Sequence, residues 1–300
     1  MTVPSLLTAN DAVAIIAPSR LILPDQVEKA LKVFRHWGLQ VHLGDSIFKS
    51  HGYFAGTDEQ RLGDLQHFVN DPSIKAIFCA RGGYGVTRIL DQLDLDPLKE
   101  NPKWIIGFSD ITALHLALAK LGIASVHGLM PVQFDYFDAE SSIESLRKLL
   151  FEGTGLINAA SNDSNRRGSG SAPIIGGNLS LLADSLGTAS EVETENKILF
   201  FEEIDEYLYK VDRMLTQLKR AGKFDALKGL VIGDFSQIKD TKIPFGQGLE
   251  EIILDKVKKY DFPVGFGFPI GHEIPNFSIP LMSEVKFEVT AGMSQLSFTL

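Results

Sequence analysis

The chain has 300 residues, of which 44% are hydrophobic and 22% are charged, and it contains a single cysteine. This composition is typical of globular proteins and excludes disordered, collagen-like and coiled-coil chains. Basic residues number 29 and acidic residues 38, so the formal net charge is −9, and we expect no nucleic acid and no membrane among the partners. The lone cysteine cannot form an internal disulfide, and the N-terminal residues lack the basic and apolar regions of a signal peptide. We therefore expect a cytoplasmic location.

Short apolar runs alternate with amphipathic segments through the first half of the chain. Strands are predicted over Ala12–Ala17, Gln40–Leu43, Lys75–Cys79, Lys103–Phe108 and Ala124–His127. Helices are predicted over Pro24–Trp37, Asp58–Val69 and Ile111–Leu121, where apolar residues recur at helical spacing. Such alternation is typical of a buried parallel sheet flanked by helices.

A polar stretch over 161–171 contains no apolar residue and cannot contribute to a core, which indicates a linker or mobile loop. We accordingly predict an N-terminal domain over 1–157, a linker over 158–172 and a C-terminal domain over 173–300. Alternating patterns at Glu284–Val289 and Gln295–Leu300 predict strands near the end of the chain. The expected fold class is α/β: an N-terminal domain with a parallel sheet flanked by helices, plus a C-terminal β-rich α/β domain.

Ser109 lies where a predicted apolar strand runs directly into a predicted helix, with Gly107 two residues before it. A sharp turn there would expose the serine hydroxyl, and the amides of the first helical turn would face a developing oxyanion. The match to the Gly-x-Ser-x-Gly pattern is incomplete, because Ile111 replaces the second glycine. A plain helix N-cap is the alternative interpretation of Ser109.

A serine nucleophile needs a base and an acid that orients the base. Among seven histidines, His127 and His272 follow strand-like runs, and we prefer His272 because Gly271 precedes it in a loop. Glu202 follows a hydrophobic strand, where an acid is costly unless it is paired or belongs to a site. A structural histidine and a pair of strand-end carboxylates, Glu202 with Glu203, remain as alternatives.

A glycine-rich turn over Arg81–Gly85 follows the third predicted strand. It lacks the phosphate-binding patterns, so a loop that brings bare amides to a substrate oxygen, together with the amide of Asp110, is the better interpretation. A tight turn that needs positive φ would also explain the glycines. Cys79 lies in an apolar strand and is interpreted as a small core residue rather than a nucleophile.

Together these segments resemble the LD-carboxypeptidase family of serine peptidases, which includes murein tetrapeptide carboxypeptidases and microcin C immunity peptidases. The resemblance is carried, in chain order, by Ile16–Ser19, Ala80–Gly85, Gly107–Thr112, His127–Gly128, Gly176–Leu179, Leu199–Glu203, Tyr209–Leu215 and Gly267–His272. Each segment is short, but their joint order over nearly the whole chain is specific.

The resemblance implies that Ser109 is the nucleophile, Glu202 the orienting acid and His272 the general base. It also implies an oxyanion hole from the backbone amides of Gly83 and Asp110. The implied site lies between an α/β domain and a β-rich domain, and members of the family are typically homodimers. Arg81 and Gly82 are further candidates for binding substrate, with Arg81 as a possible anchor for a terminal carboxylate.

The implied reaction is hydrolysis, through an acyl-enzyme, of the bond between the L-centre of a diamino acid and the terminal D-alanine of a muropeptide, as in cell-wall recycling. It needs no metal and no cofactor. One alternative keeps the chemistry but takes a peptidyl-nucleotide antibiotic as substrate, as in microcin C self-immunity. Another is a two-lobed protein that binds a small ligand without catalysis.

Overall fold

The computed structural model describes all 300 residues and contains thirteen strands and eight α-helices. The strands are β1 (Ala12–Ile16), β2 (Gln40–Leu43), β3 (Ile74–Cys79), β4 (Trp104–Gly107), β5 (Ser125–His127), β6 (Thr154–Ala160), β7 (Gly168–Asn178), β8 (Ile198–Ile204), β9 (Gly229–Ser236), β10 (Val264–Gly265), β11 (Ile279–Leu281), β12 (Glu284–Val289) and β13 (Met293–Thr299). The helices are α1 (Glu28–His36), α2 (Asp58–Asn70), α3 (Pro97–Glu100), α4 (Thr112–Lys120), α5 (Glu140–Glu152), α6 (Leu179–Asp184), α7 (Leu208–Arg220) and α8 (Leu249–Val257). No helix combines the length and the apolar character needed to cross a bilayer.

The first of two compact units comprises Met1–Gly153 and Phe277–Met282. Its six strands lie in the order β11-β5-β4-β3-β1-β2, and all pair in parallel except β11, which is antiparallel to β5. The central strands are buried, as their apolar runs predict. Helix α2 begins at a capping box formed by Thr57 and Gln60, and Gly153 ends α5 in the left-handed conformation. The predicted parallel α/β architecture is confirmed.

The second unit comprises Thr154–Asn276 and Ser283–Leu300. Its seven strands lie in the order β10-β9-β8-β7-β12-β13-β6. The half from β10 to β7 is parallel, and the half from β7 to β6 is antiparallel. This mixed sheet, with α6, α7 and α8 in the same unit, confirms the predicted β-rich α/β class of the second half.

Residues 158–172, which the polar composition predicts as a linker, lie largely within the second sheet. Residues 158–160 belong to β6 and residues 168–172 to β7. β7 pairs with β12 on one side and with β8 on the other, so backbone hydrogen bonds hold a segment that has few apolar side chains. The first unit runs to Gly153 and also includes Phe277–Met282, from near the end of the chain.

Candidate active site

Ser109 occupies a strained turn at the carboxyl end of β4. Its φ is +62°, an uncommon conformation for a residue other than glycine. A 3₁₀ turn over Ser109–Ile111 follows and leads into α4, and Ser109 is the N-cap of neither segment. A Cβ at Gly107 would lie 2.8 Å from Cγ1 of Ile111, so only glycine fits this bend. The helix N-cap interpretation is therefore wrong, and the strand-turn-helix geometry is that of a nucleophile elbow.

The glycine-rich loop after β3 lies directly against this turn. A Cβ placed on Gly82 would lie 3.1 Å from Cβ and 3.3 Å from Oγ of Ser109. Gly83 has φ +113°, which glycine adopts without strain. The first unit thus brings the loop that carries Gly82 and Gly83 beside the serine and the adjacent Asp110.

The buried carboxylate of Asp110 ties these segments together. Its Oδ2 accepts a hydrogen bond from Oγ of Ser19 at 2.5 Å and one from the backbone N–H of Val86 at 2.9 Å. Arg61, whose side chain is fully buried, donates from Nη1 to the carbonyl oxygens of Pro18 and Gly85. Charge-assisted bonds of this kind are the stronger class. The carboxylate and the guanidinium therefore hold the carboxyl-terminal end of the glycine-rich loop to the loop after β1.

Two further groups near the turn are structural. The Nε2–H of His115 donates to the carbonyl oxygen of Gly107, 2.9 Å away, which fixes the tautomer of this buried ring. Burial lowers the pKa of His115 to about 4, so the ring is neutral at pH 7. Burial also raises the pKa of the Cys79 thiol, which suits the predicted core role rather than a nucleophile.

Glu202 and His272 form a hydrogen-bonded pair in the second unit. Glu202 lies near the end of β8 and is fully buried, and its Oε2 lies 2.6 Å from Nδ1 of His272. Because a carboxylate only accepts, Nδ1 of the neutral ring carries the proton and Nε2 is left as the basic nitrogen. The His272 side chain is 16% exposed, whereas the alternative base, His127, is fully buried. A histidine hydrogen-bonded in this way can act as a general base that the acid orients.

Glu203, next to Glu202, has a different set of partners. One oxygen accepts from Nδ2 of Asn178 and from the backbone N–H of Ile204, and the other accepts from the backbone N–H and the hydroxyl of Ser180. The three bonds from Asn178 and Ser180 attach the end of β8 to the start of α6, and the fourth lies within β8. Glu202 and Glu203 thus have different partners, and of the two only Glu202 is hydrogen-bonded to the histidine.

Asp234, near the end of β9, holds the loop that carries His272. Its backbone N–H donates to the carbonyl oxygen of Ile270 at 2.9 Å, and its carboxylate accepts from the N–H of Glu273 at 3.3 Å. Burial raises the pKa of Asp234 to about 6, with repulsion from Glu202 and Glu273 adding to the shift. Asp234 therefore fixes the backbone on both sides of the histidine.

Burial alone would lower the pKa of His272, but the negative charges of Glu202, Glu203 and Asp234 outweigh it and raise this pKa above the ordinary 6.5. We expect an NMR titration of the His272 ring to give a midpoint above 6.5. Asp234→Asn removes a charge that favours the imidazolium, so it should lower that midpoint. Asp255→Asn, at an exposed ion pair with Lys258, is the control and should leave it unchanged. A midpoint below 6.5 in the unaltered protein would contradict this electrostatic account.

The candidate residues thus fall into two groups of known internal geometry. The first unit brings together Ser109, Asp110 and the Arg81–Gly83 loop, and the second brings together Glu202 and His272. The sequence pattern points to the backbone amide of Asp110 but not to its buried carboxylate, and Asp234 is not among the predicted site residues. Asp234 follows an apolar strand, which is the same signal that pointed to Glu202.

Comparison with known proteins places these residues in context. The profile of the LD-carboxypeptidase N-terminal domain matches residues 13–128, and that of the LD-carboxypeptidase C-terminal domain matches residues 171–287. The probable murein peptide carboxypeptidase of Bacillus subtilis is 35% identical over 304 residues, which cover 97% of this chain and 95% of that protein. The murein tetrapeptide carboxypeptidase of Pseudomonas aeruginosa is 31% identical over 279 residues, with coverages of 89% and 90%.

Solved structures give the same picture for the fold. The muramoyltetrapeptide carboxypeptidase of Oxalobacter formigenes matches with a TM-score of 0.87 at 29% identity, over 96% of this chain and 99% of that one. The microcin C7 self-immunity protein MccF also matches with a TM-score of 0.87, over 100% and 99% of the two chains. Its identity to this chain is 22%, so this second likeness concerns the fold alone.

Proposed function

This chain belongs to the LD-carboxypeptidase family, and we propose that it hydrolyses the bond between the L-centre of a diamino acid and the terminal D-alanine of a murein tetrapeptide. The observation that carries the proposal is the strained turn at Ser109, with the glycine-rich loop against its hydroxyl. A serine held this way is presented for attack on a carbonyl carbon. The hydrogen-bonded pair of Glu202 and His272 supplies the base that such an attack requires.

In the proposed mechanism, Ser109 Oγ bonds to the carbonyl carbon of the L-centre while Nε2 of His272 takes the hydroxyl proton. The backbone amides of Gly83 and Asp110 stabilise the oxyanion. The bond to nitrogen then breaks, and His272 returns the proton to the amine of the departing D-alanine. Water attacks the acyl-enzyme with His272 again as the base, which releases the shortened peptide and regenerates Ser109.

Each proton and electron pair in this sequence is carried by side chains, substrate or water, so the proposed reaction needs no metal and no organic cofactor. The proposed nucleophile, Ser109, belongs to the first unit and the proposed base, His272, to the second. Arg81 and Gly82 are proposed to bind that substrate. By analogy with the family, we further propose that the protein acts as a homodimer on muropeptides in the cytoplasm.

Incubation with a muropeptide mixture, followed by mass spectrometry, tests the proposal directly. We expect tetrapeptides that end in D-alanine to lose that residue, and tetrapeptides that end in L-alanine to remain intact. A parallel incubation with a peptidyl-nucleotide tests the immunity-peptidase alternative. Cleavage of the peptidyl-nucleotide alone would overturn the murein assignment, and cleavage of neither substrate would favour the non-catalytic alternative.

A further inference from the structure

Two arginines that have no acidic partner surround the loop beside Ser109. Arg20 follows β1 and Arg81 follows β3, and because these strands are parallel neighbours, both side chains leave the same edge of the sheet. A Cβ on Gly83 would lie 3.0 Å from Cβ of Arg20 and 2.7 Å from the hydroxyl of Tyr53. Nη1 of Arg81 lies 3.5 Å from the carbonyl oxygen of Leu21. The two guanidinium groups and the phenol therefore form one cluster at this edge.

The charge of this cluster is not neutralised within the chain. Three other arginines of the same unit are paired, since Arg61 and Arg88 contact Asp58 and Arg147 contacts Glu144 and Glu152. Arg20 instead lies over the ring of Tyr53, with its guanidinium carbon 5.1 Å from the ring centroid. The half-buried Arg81 has its pKa lowered by burial and by the nearby charge of Arg20.

Such a cluster in a chain of net charge −9 is typical of a site that receives an anion. The two positive guanidinium groups repel each other, and partial burial strengthens this repulsion. A bound anion would offset it. Guanidinium groups match the planar geometry of a carboxylate in particular. The cluster thus has the charge, the donors and the shape for a carboxylate ligand.

The position of the cluster relative to Ser109 indicates which carboxylate it receives. Arg81 is adjacent in sequence to Gly82, whose added Cβ would lie 3.3 Å from Oγ of Ser109. In a peptide that ends in D-alanine, only three covalent bonds separate the carbonyl carbon under attack from the carbon of the terminal carboxylate. That carboxylate therefore has to bind a short distance from the nucleophile. Arg81 and Arg20 lie at the loop that contacts Ser109.

We propose that Arg20 and Arg81, with the Tyr53 hydroxyl, bind the terminal carboxylate of the peptide and so restrict cleavage to the last residue. The assignment of this carboxylate rests on the proposed function, since it takes Ser109 as the nucleophile. It adds Arg20 and Tyr53 to the anchor that sequence reasoning sought in Arg81 alone. A neutral C-terminal amide lacks the charge that this site binds, so peptides with a free carboxylate should bind much more tightly than their amides.

The test compares a tetrapeptide that ends in D-alanine with its C-terminal amide. Both are titrated calorimetrically into the Ser109→Ala protein, which binds without turnover. We expect the free acid to bind about 10- to 100-fold more tightly than the amide. Arg20→Met and Arg81→Met, each added to Ser109→Ala, should abolish most of that preference. Arg35→Met, at an exposed arginine on α1, is the matched control and should preserve it.

A second ligand pair separates failure of this site from failure of the proposed function. N-acetyl-D-alanine and its amide test the cluster without any need for peptide hydrolysis. If the arginine variants lose N-acetyl-D-alanine binding while no tetrapeptide is cleaved, the carboxylate site stands and the proposed function falls. If D-alanine is released but Arg20→Met leaves the preference for the acid unchanged, the two-arginine site is overturned.

Discussion

Replacing Ser109 with alanine is expected to reduce kcat for D-alanine release by at least about 10⁴-fold, because loss of a triad nucleophile leaves only binding and oxyanion stabilisation. The substitution adds no atom to this turn of φ +62°, and the Ser109 hydroxyl caps neither adjoining helical segment. The free energy of unfolding should therefore change by less than about 0.5 kcal/mol. Steady-state kinetics and a thermal melt of the same preparation give both values.

Ser125→Ala is the matched control for this experiment. Ser125 is a buried serine in β5 of the same sheet, and its hydroxyl has no hydrogen-bond partner. Its removal should leave kcat unchanged and should be neutral or slightly stabilising. In addition, a fluorophosphonate should add its mass to the peptide that contains Ser109, and this label should be lost in Ser109→Ala. Full turnover by Ser109→Ala, or labelling at another residue, would remove Ser109 from the mechanism.

The sequence is informative about the site wherever a polar residue directly follows a buried apolar run. Ser109 follows β4, Glu202 lies near the end of the apolar run of β8, and Asp234 lies near the end of β9. A buried strand can be recognised from its own run of apolar side chains. An acid or hydroxyl at the end of that run can therefore be identified from the sequence alone. The parallel first sheet was predictable for the same reason.

Features that depend on distant partners could not be predicted in this way. β7 has no apolar residue over 168–171, and it is a strand there because β12 supplies backbone partners from more than a hundred residues away. β11 joins the first sheet next to β5 although it lies near the end of the chain. The role of the Asp110 carboxylate depends on Ser19 and Val86, which only the folded loops bring to it.

Distant partners also distinguish the two adjacent acids, Glu202 and Glu203. Glu202 and Glu203 are both buried at the end of β8. The sequence pattern favours Glu202 only by its position, with Glu203 as the competing alternative. Glu202 accepts from His272, whereas Glu203 accepts four hydrogen bonds, three of which connect β8 to the start of α6. In the proposed mechanism Glu202 therefore orients the base, whereas the hydrogen bonds of Glu203 stabilise the fold.

Glu202→Gln is expected to lower kcat by about 10³- to 10⁴-fold with little change in Tm. The amide keeps the shape of the carboxylate but removes the charge that stabilises the imidazolium, and its NH₂ group favours the wrong tautomer of His272. The loss of this charge should also lower the pKa of His272, since Glu202 raises it. Kinetics at pH 8, where His272 is more fully neutral, and an NMR titration of the ring measure the two effects.

Glu203→Gln is the matched comparison and should show the opposite pattern. Each oxygen of Glu203 faces two donors, so the NH₂ group of glutamine has to point at N–H or O–H groups that it cannot accept from. Leaving these buried donors without an acceptor costs about 1–3 kcal/mol, which lowers Tm by several degrees, whereas kcat of the folded protein should stay within about tenfold. If Glu203→Gln instead removed kcat and Glu202→Gln only lowered Tm, the orienting acid would be Glu203, and the short Glu202–His272 contact would have a structural role alone.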